Sequence, residues 1–242
     1  MESPVPSSGA LSLAAHGRSG TIAPMRIPLT PFATRELILF GVPLAGAAVA
    51  LAFIQRVAAV VVALLFLWVL WFFRDFERAI PAGEGVVVSP ADGRVTDIDE
   101  VDAPEFIGGR ARRIGIFLNV FNCHVNRAPY AGTVAFKAYT PGKFHNAMAP
   151  KSSELNERQS LGLETAAGRM LVRQIAGAIA RRIVCPVPEG AALARGQRYG
   201  MIKFGSRTEL YVSAGIPFEV AVKVGDVVKG GSSVLGRIGT AG

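Results

Sequence analysis

The sequence predicts a mainly β, α+β protein in which a hydrophobic helical hairpin precedes an antiparallel β-rich domain. Two observations predict this fold class. Half of the chain is hydrophobic and the mean hydropathy is +0.37, yet the apolar excess is concentrated in residues 37–73. From residue 85 onward, short runs of alternating apolar and polar residues are separated by Gly, Pro, Asp and Asn, which is typical of strands joined by tight turns. We therefore expect a tail over residues 1–33, an anchor over 34–80 and the folded domain over 81–242.

The first element is the tail, which is rich in Ser, Pro, Gly and Ala and lacks apolar periodicity, so we expect it to be disordered. Two uncharged apolar runs follow, over residues 37–54 and 57–73. Each run is slightly shorter than the ~20 residues that span a bilayer as a helix. The second run ends in aromatic residues that include Trp68 and Trp71, which favour a membrane interface. The two runs predict a pair of membrane-anchoring helices.

Cationic residues flank this pair of helices on both sides, with Arg35 before it and Arg74 and Arg78 after it. Positive flanks tend to stay in the cytoplasm, so they predict a hairpin with both ends inside the cell. The domain would then lie on the cytoplasmic side of the inner (cell) membrane. Arg56 at the turn and Pro43 in the first helix favour a competing arrangement, a re-entrant or in-plane anchor. The sequence leaves both arrangements open.

The composition narrows the classes of partner and cofactor. The formal net charge is +8 and the pI is about 10.0, but the basic residues are scattered and no aromatic-interleaved basic stripe indicates a nucleic-acid surface. With an apolar anchor present, an anionic membrane is the better partner, and no nucleic acid is expected. Two cysteines without a CxxC spacing, and only three histidines, argue against a disulfide framework and against a metal site.

Two segments of the domain have specific expectations. Residues 175–184 (IAGAIARRIV) are the one plausible helix after the anchor, with a strand as the alternative. Residues 222–238 (VKVGDVVKGGSSVLGRI) have the pattern of a biotinyl- or lipoyl-type hairpin, which suggests an alternative function as a non-enzymatic membrane adaptor. Neither Lys223 nor Lys229 has the flanking Met that is common beside a modifiable carrier lysine. A zinc peptidase of similar β-rich architecture is excluded because the chain has too few histidines.

The segment GMIKFGSRTELYV places a Gly205–Ser206 step inside what the alternation predicts to be one continuous strand. Glycine weakens a strand interior and often indicates a close backbone approach. A Gly-Ser bond is also the least hindered peptide at which a hydroxyl can attack its own preceding carbonyl. Attack by Ser206 Oγ would give an ester, and elimination with loss of ammonia would leave a ketone at the new N-terminus. Gly-Ser pairs are common, so the dipeptide alone predicts only a bulge.

Further segments, in a fixed order, carry a more specific signal. They are FFRDFERAIP after the anchor, VVSPADGRV, FLNVFNCHVNRAPYAG with PGKFHNA, NER at residues 156–158, and KFGSRTELYV near the C-terminus. From about residue 36 to the end, these segments together resemble the phosphatidylserine decarboxylases, in particular their short form.

The resemblance implies a proenzyme that cuts itself between Gly205 and Ser206 into a large and a small chain. Ser206 would become a pyruvoyl group, whose carbonyl forms a Schiff base with the serine head group of phosphatidylserine and accepts electrons as carbon dioxide leaves. The product is phosphatidylethanolamine. Asp92 in SPADGRV matches the family aspartate that helps to activate the serine. His124 in NCHVNRAP matches a family histidine near the substrate, where it would act in acid–base chemistry.

The chain departs from the larger bacterial enzymes at two places. Arg127 stands where they carry a second histidine, and FGSR replaces their LGST-like cleavage segment. The base for self-cleavage is therefore expected to be His124 or, if the fold brings it near, His145 in PGKFHNA. Lys143 is expected to meet the lipid phosphate, and Arg127 is a further substrate-binding candidate. Exposed β edges would also permit a homodimer.

Overall fold

The computed structural model of the protein describes residues 29–103, 105–145, 152–178, 182–203 and 206–239. Most of the expected disordered tail, residues 1–28, lies outside these ranges, so the disorder stays a prediction.

The chain begins with a helical hairpin, as the two apolar runs predict. Its elements are a 3-10 turn (Pro31–Ala33), helix α1 (Thr34–Glu36), a π-helical segment (Leu37–Gly41), helix α2 (Val42–Ala52) and helix α3 (Arg56–Phe72). The π-helical segment ends two residues before Pro43, which has no N–H to continue the usual hydrogen-bond ladder. Within the described ranges, Pro31–Ala52 is the one helix that is long and apolar enough to cross a membrane, and Arg56–Phe72 is shorter.

The rest of the described chain is mainly antiparallel β-structure, which confirms the predicted fold class. The strands are β1 (Val86–Val88), β2 (Gly93–Ala103), β3 (Gly109–Leu118), β4 (Val125–Arg127), β5 (Gly132–Thr140), β6 (Arg158–Thr165), β7 (Gly168–Ala176), β8 (Arg182–Val184), β9 (Ala192–Leu193), β10 (Arg198–Lys203), β11 (Ser206–Ser213), β12 (Phe218–Val220), β13 (Val227–Val228) and β14 (Val234–Ile238). A short helix, α4 (Ser152–Leu155), precedes β6. The large sheet has the order β13-β2-β3-β11-β7-β6-β5-β9, and the small sheets have the orders β4-β10-β8 and β1-β14-β12.

Strand β11 lies in the middle of the large sheet, between β3 and β7. Side chains alternate across a strand, so its two faces have different surroundings. On one face, Leu210 and Val212 pack into the main apolar core. On the other face, Glu209 is fully buried and its carboxylate accepts hydrogen bonds from Arg207, Tyr211 and Ser153 at 2.6–2.8 Å. Burial opposes ionisation of Glu209, but the Arg207 guanidinium and the hydrogen bonds from Ser153 and Tyr211 together outweigh it and lower the pKa of this carboxyl.

The structure corrects the expectation of one continuous strand through the Gly205–Ser206 step. β10 pairs with β4 and β8 in a small sheet, whereas β11 pairs with β3 and β7 in the large sheet. The chain therefore changes sheets between Lys203 and Ser206. The alternation of apolar residues continues from β10 into β11 because both strands are buried. It therefore does not reveal that the two strands pair in different sheets.

Two further expectations are wrong. The segment 175–184 is not a helix at its described ends, because β7 runs to Ala176 and β8 covers Arg182–Val184, which fits the strand alternative. The segment 222–238 is not a self-paired hairpin: β13 pairs with β2, and β14 pairs with β1 and β12. The pattern that suggested a biotinyl- or lipoyl-like adaptor is therefore not realised in the fold.

Candidate active site

Ser206 is the first residue of β11 and is completely buried. Its backbone pairs with Leu118 of β3 on one side and with Ala176 of β7 on the other. Its hydroxyl oxygen Oγ has no hydrogen-bond partner among the described residues. A buried hydroxyl normally finds a partner, so an orphaned one calls for an explanation, and a catalytic role is one of those available. Gly205, the residue before it, lies outside the described residues.

A buried polar cluster lies two residues beyond Ser206 along β11. Thr208 Oγ1 accepts a hydrogen bond from Asn126 Nδ2 (3.0 Å), and Asn126 Oδ1 accepts one from Gln174 Nε2 (2.9 Å). These three residues are at most 1% exposed, and they join β4 of a small sheet to β11 and β7 of the large sheet. The sequence reasoning missed them, although polar residues inside otherwise apolar strand patterns are a usable signal.

His124 is fully buried directly before β4. Its Nδ1 lies 2.9 Å from the carbonyl oxygen of Asn122, which can only accept, so Nδ1 carries the proton and Nε2 carries the lone pair in the neutral ring. The ring lies 4.6 Å from that of Phe72 at the end of α3, with the two planes 33° apart. Burial lowers the pKa of His124 from 6.5 to about 4. The imidazole is therefore neutral near pH 7, the state that a general base requires.

The fold brings the His124 and Ser206 segments side by side. The N–H of Ile202 on β10 donates to the carbonyl of His124 (3.3 Å), only four residues before Ser206. Two residues beyond each of them, the side chains of Asn126 and Thr208 are hydrogen-bonded to each other. This register places a neutral imidazole and an unpartnered hydroxyl in the same part of the domain.

The Asp92 carboxylate makes contacts that the sequence did not predict. Its Oδ2 accepts a hydrogen bond from Arg78 Nη2 (2.8 Å), and its Oδ1 accepts one from the N–H of Gly230 (2.7 Å). Neither partner is a histidine. Asp92 thus joins the segment after the anchor to the C-terminal region, and its role in orienting a base stays a prediction.

Lys143 and His145 lie on an exposed segment that is fixed by Asn156. The Asn156 side chain accepts from the His145 N–H (3.0 Å) and donates to the His145 carbonyl (2.8 Å). It also donates to the carbonyl of Ala176 (2.8 Å), the residue that pairs with Ser206. Asn156, the first residue of the NER motif, therefore ties this segment to the neighbour of Ser206. The roles of Lys143 in phosphate binding and of His145 as a base stay predictions.

Arg127 is buried, and its guanidinium contacts the protein itself. It donates to Asp75 Oδ1 (3.2 Å) and to the carbonyls of Phe76 (2.7 Å) and Gly196 (3.0 Å). Asp75 also accepts from Arg198 Nε at 2.6 Å. Arg127 therefore fastens the segment after the anchor to the domain, and its predicted contact with substrate stays untested.

Comparison of the sequence with known proteins tests the resemblance that the motifs indicate. Residues 65–236 match the family model for phosphatidylserine decarboxylase. Relatives named phosphatidylserine decarboxylase proenzyme occur in Symbiobacterium thermophilum (49% identical over 213 residues, 86% of this chain and 96% of the relative), Magnetococcus marinus (48% over 172 residues, 71% and 78%) and Ruegeria pomeroyi (49% over 175 residues, 71% and 79%).

The family model covers the end of the anchor's second helix and nearly the whole β domain, so with the relatives it defines the chain as an enzyme of the decarboxylase class. More particularly, the chain belongs to the phosphatidylserine decarboxylase family, which confirms the resemblance indicated by its motifs. The likeness to the short form in particular stays a prediction.

Proposed function

We propose that this chain is a self-processing decarboxylase that cuts the Gly205–Ser206 bond, converts Ser206 to a pyruvoyl group and releases carbon dioxide from phosphatidylserine. The observation that carries the proposal is the buried, unpartnered Ser206 Oγ at the start of β11. The buried position also fits a pyruvoyl group, because Oγ leaves with the Gly205 carboxylate and has no hydrogen-bond partner to lose, while Cβ becomes a methyl group that needs none. Once formed, that group supplies an electron sink for decarboxylation.

The cleavage step follows from the chemistry of the two residues. Ser206 Oγ loses its proton to a base and attacks the carbonyl carbon of Gly205, so that a C–O bond forms and the C–N bond breaks, and the Ser206 nitrogen takes a proton. Loss of the Cα proton then breaks the Cβ–O bond, which releases the Gly205 carboxylate and leaves dehydroalanine. Addition of water and loss of ammonia complete the ketone. Residues 1–205 become the large chain and residues 206–242 the small chain.

His124 is the base that we propose first. It is neutral near pH 7 because burial lowers its pKa to about 4, and its Nε2 is the unprotonated nitrogen. The same nitrogen would hold and return a proton during decarboxylation. His145 is the second candidate, on the segment that Asn156 ties to the neighbour of Ser206. Asp92 would orient the base only if its contact with Arg78 were replaced by a contact with a histidine.

The substrate and its location follow from the anchor and from charge. The apolar hairpin would hold the β domain at the cytoplasmic side of the inner membrane, where phosphatidylserine presents its head group. Lys143 is exposed beside the tethered segment and supplies a cation for the lipid phosphate, with Arg127 as the less accessible alternative. The proposal also divides the chain into a tail (1–33), an anchor (34–80) and the folded domain (81–242). It is compatible with a homodimer.

The decisive experiment compares the wild-type chain with Ser206→Ala and with Ser213→Ala, which removes a hydroxyl at the other end of the same strand. Intact-mass analysis after purification should show two fragments for wild type and Ser213→Ala, the smaller with a blocked N-terminus. Ser206→Ala should stay one chain and release no carbon dioxide from phosphatidylserine vesicles. Active wild-type protein that consists of a single uncut chain would refute the proposal.

A further inference from the structure

An ion pair between the anchor and the end of β10 lies three residues before Ser206. Lys203 Nζ is 2.6 Å from Glu36 Oε2, and the two side chains are only 5% and 13% exposed. Glu36 is the last residue of α1, and Lys203 is the last residue of β10. The two residues are far apart in the sequence, so the pair joins the anchor directly to the strand that leads into the cleavage site.

Two further contacts hold the same strand end. Arg182 of β8 pairs across from Lys203, and its Nη1 lies 3.7 Å from the other Glu36 oxygen. Two residues before Lys203, Met201 is buried in a cluster with Phe72 and Phe73 from the end of α3. The anchor therefore holds β10 by charge at Lys203 and by apolar packing at Met201.

This arrangement matters because β10, which ends at Lys203, and β11, which begins at Ser206, belong to different sheets. Ser206 is fixed by its backbone pairing to β3 and β7 in the large sheet. The carbonyl that it would attack belongs to Gly205, which follows the end of β10 by two residues in the sequence. Attack on a carbonyl requires the reacting atoms to be placed within about 1 Å of the productive geometry.

We propose that Glu36 is a positioning residue for self-cleavage: its ion pair with Lys203 fixes the end of β10, from which the chain reaches the Gly205–Ser206 bond within two residues. The inference rests on the proposed self-processing and adds that the anchor takes part in it. Lys203 is buried, so it has little water to replace a lost carboxylate, and without Glu36 the strand end would shift to let the ammonium reach solvent.

The test follows the rate of self-cleavage by intact mass in full-length protein that is freshly synthesised in the presence of lipid. Glu36→Gln keeps the shape of the side chain and removes its charge, and we expect cleavage to slow by about tenfold or more, since a displacement near 1 Å is enough for such a loss. Glu100→Gln is the matched control, because Glu100 pairs with Arg112 on an exposed part of β2 and β3 and should leave the rate unchanged.

A charge exchange separates positioning from general damage. The double variant Glu36→Lys with Lys203→Glu restores an ion pair and should recover most of the rate that each single variant loses. Melting temperatures of the same variants, measured in an uncleavable Ser206→Ala chain, show whether folding itself has changed. Cleavage of Glu36→Gln at the wild-type rate overturns the inference, as does a slow rate that the exchange leaves unrestored.

These outcomes differ from a failure of the proposed function. If wild-type protein stays uncut, or if Ser206→Ala is cut, the pyruvoyl proposal itself fails. If wild-type protein is cut and Glu36→Gln is cut equally fast, only the role of the ion pair fails.

Discussion

The contact between Phe72 and His124 gives a prediction about the acid–base state of the site. The Phe72 ring covers the imidazole from the end of the anchor, and both residues are fully buried. Each pKa unit corresponds to about 1.4 kcal/mol. The decrease from 6.5 to about 4 for His124 thus corresponds to about 3 kcal/mol in favour of the neutral ring. Phe72→Ala removes part of this cover and lets water reach the ring.

We expect Phe72→Ala to raise the pKa of His124 by at least about one unit, because hydration favours the protonated form. Phe72→Leu is the matched control, since it keeps an apolar side chain over the ring and should leave the pKa near its wild-type value. NMR of histidine-labelled protein in detergent micelles measures the titration, and a His124→Gln sample assigns the signal. An unchanged pKa in Phe72→Ala would show that the anchor does not set the protonation state of His124.

The same pKa shift predicts how stability depends on pH. The unfolded chain binds a proton at His124 as the pH falls through 6.5, whereas the folded chain does so only near pH 4. The contribution of about 3 kcal/mol is therefore complete above pH 6.5 and is lost progressively between pH 6.5 and pH 4. As the pH falls through this interval, the melting temperature of wild-type protein should decrease more than that of His124→Gln. Parallel curves for the two proteins would contradict the reasoning.

Two further predictions concern the residues that fasten the site. Arg127→Ala should lower the free energy of unfolding by about 3 kcal/mol, because it removes an arginine that pairs with the buried Asp75 carboxylate. Denaturant unfolding checks this, and a loss below about 1 kcal/mol, typical of an exposed ion pair, would show that Arg127 is not structural. Asn156→Ala should free the backbone of His145 and speed its amide exchange while β3 stays protected. Equal protection of the His145 amide in wild-type protein and in Asn156→Ala would mean that other contacts hold this segment.

The fold class was predictable because it depends on local patterns. Two long apolar runs gave the hairpin, and period-two alternation with frequent turn residues gave the β domain. Strand partners were not predictable in the same way. Alternation fixes which face of a strand is buried but not which strand lies beside it, so the change of sheet after Lys203 and the separation of β13 from β14 were missed.

The candidate site likewise has residues that the sequence could predict and contacts that it could not. Ser206, His124 and Asp92 could be proposed as site residues because they belong to short motifs with a recognisable order. The contacts of Asp92 with Arg78, and of Arg127 with Asp75, join residues that are distant in the chain and follow from tertiary packing alone. No local pattern indicates such partners.

The central place of β11 has a consequence for the mature enzyme as an assembly. After the proposed cut, the small chain would contain β11, which pairs with β3 and β7, and also β13 and β14, which pair with β2 and β1. The two chains would thus share two hydrogen-bonded sheets and could not separate without opening the middle of the large one. The precursor can fold in a first-order process, whereas the separated chains must first meet, so their refolding becomes second-order and depends on concentration. The cut would make maturation a step after which loss of the fold is difficult to reverse.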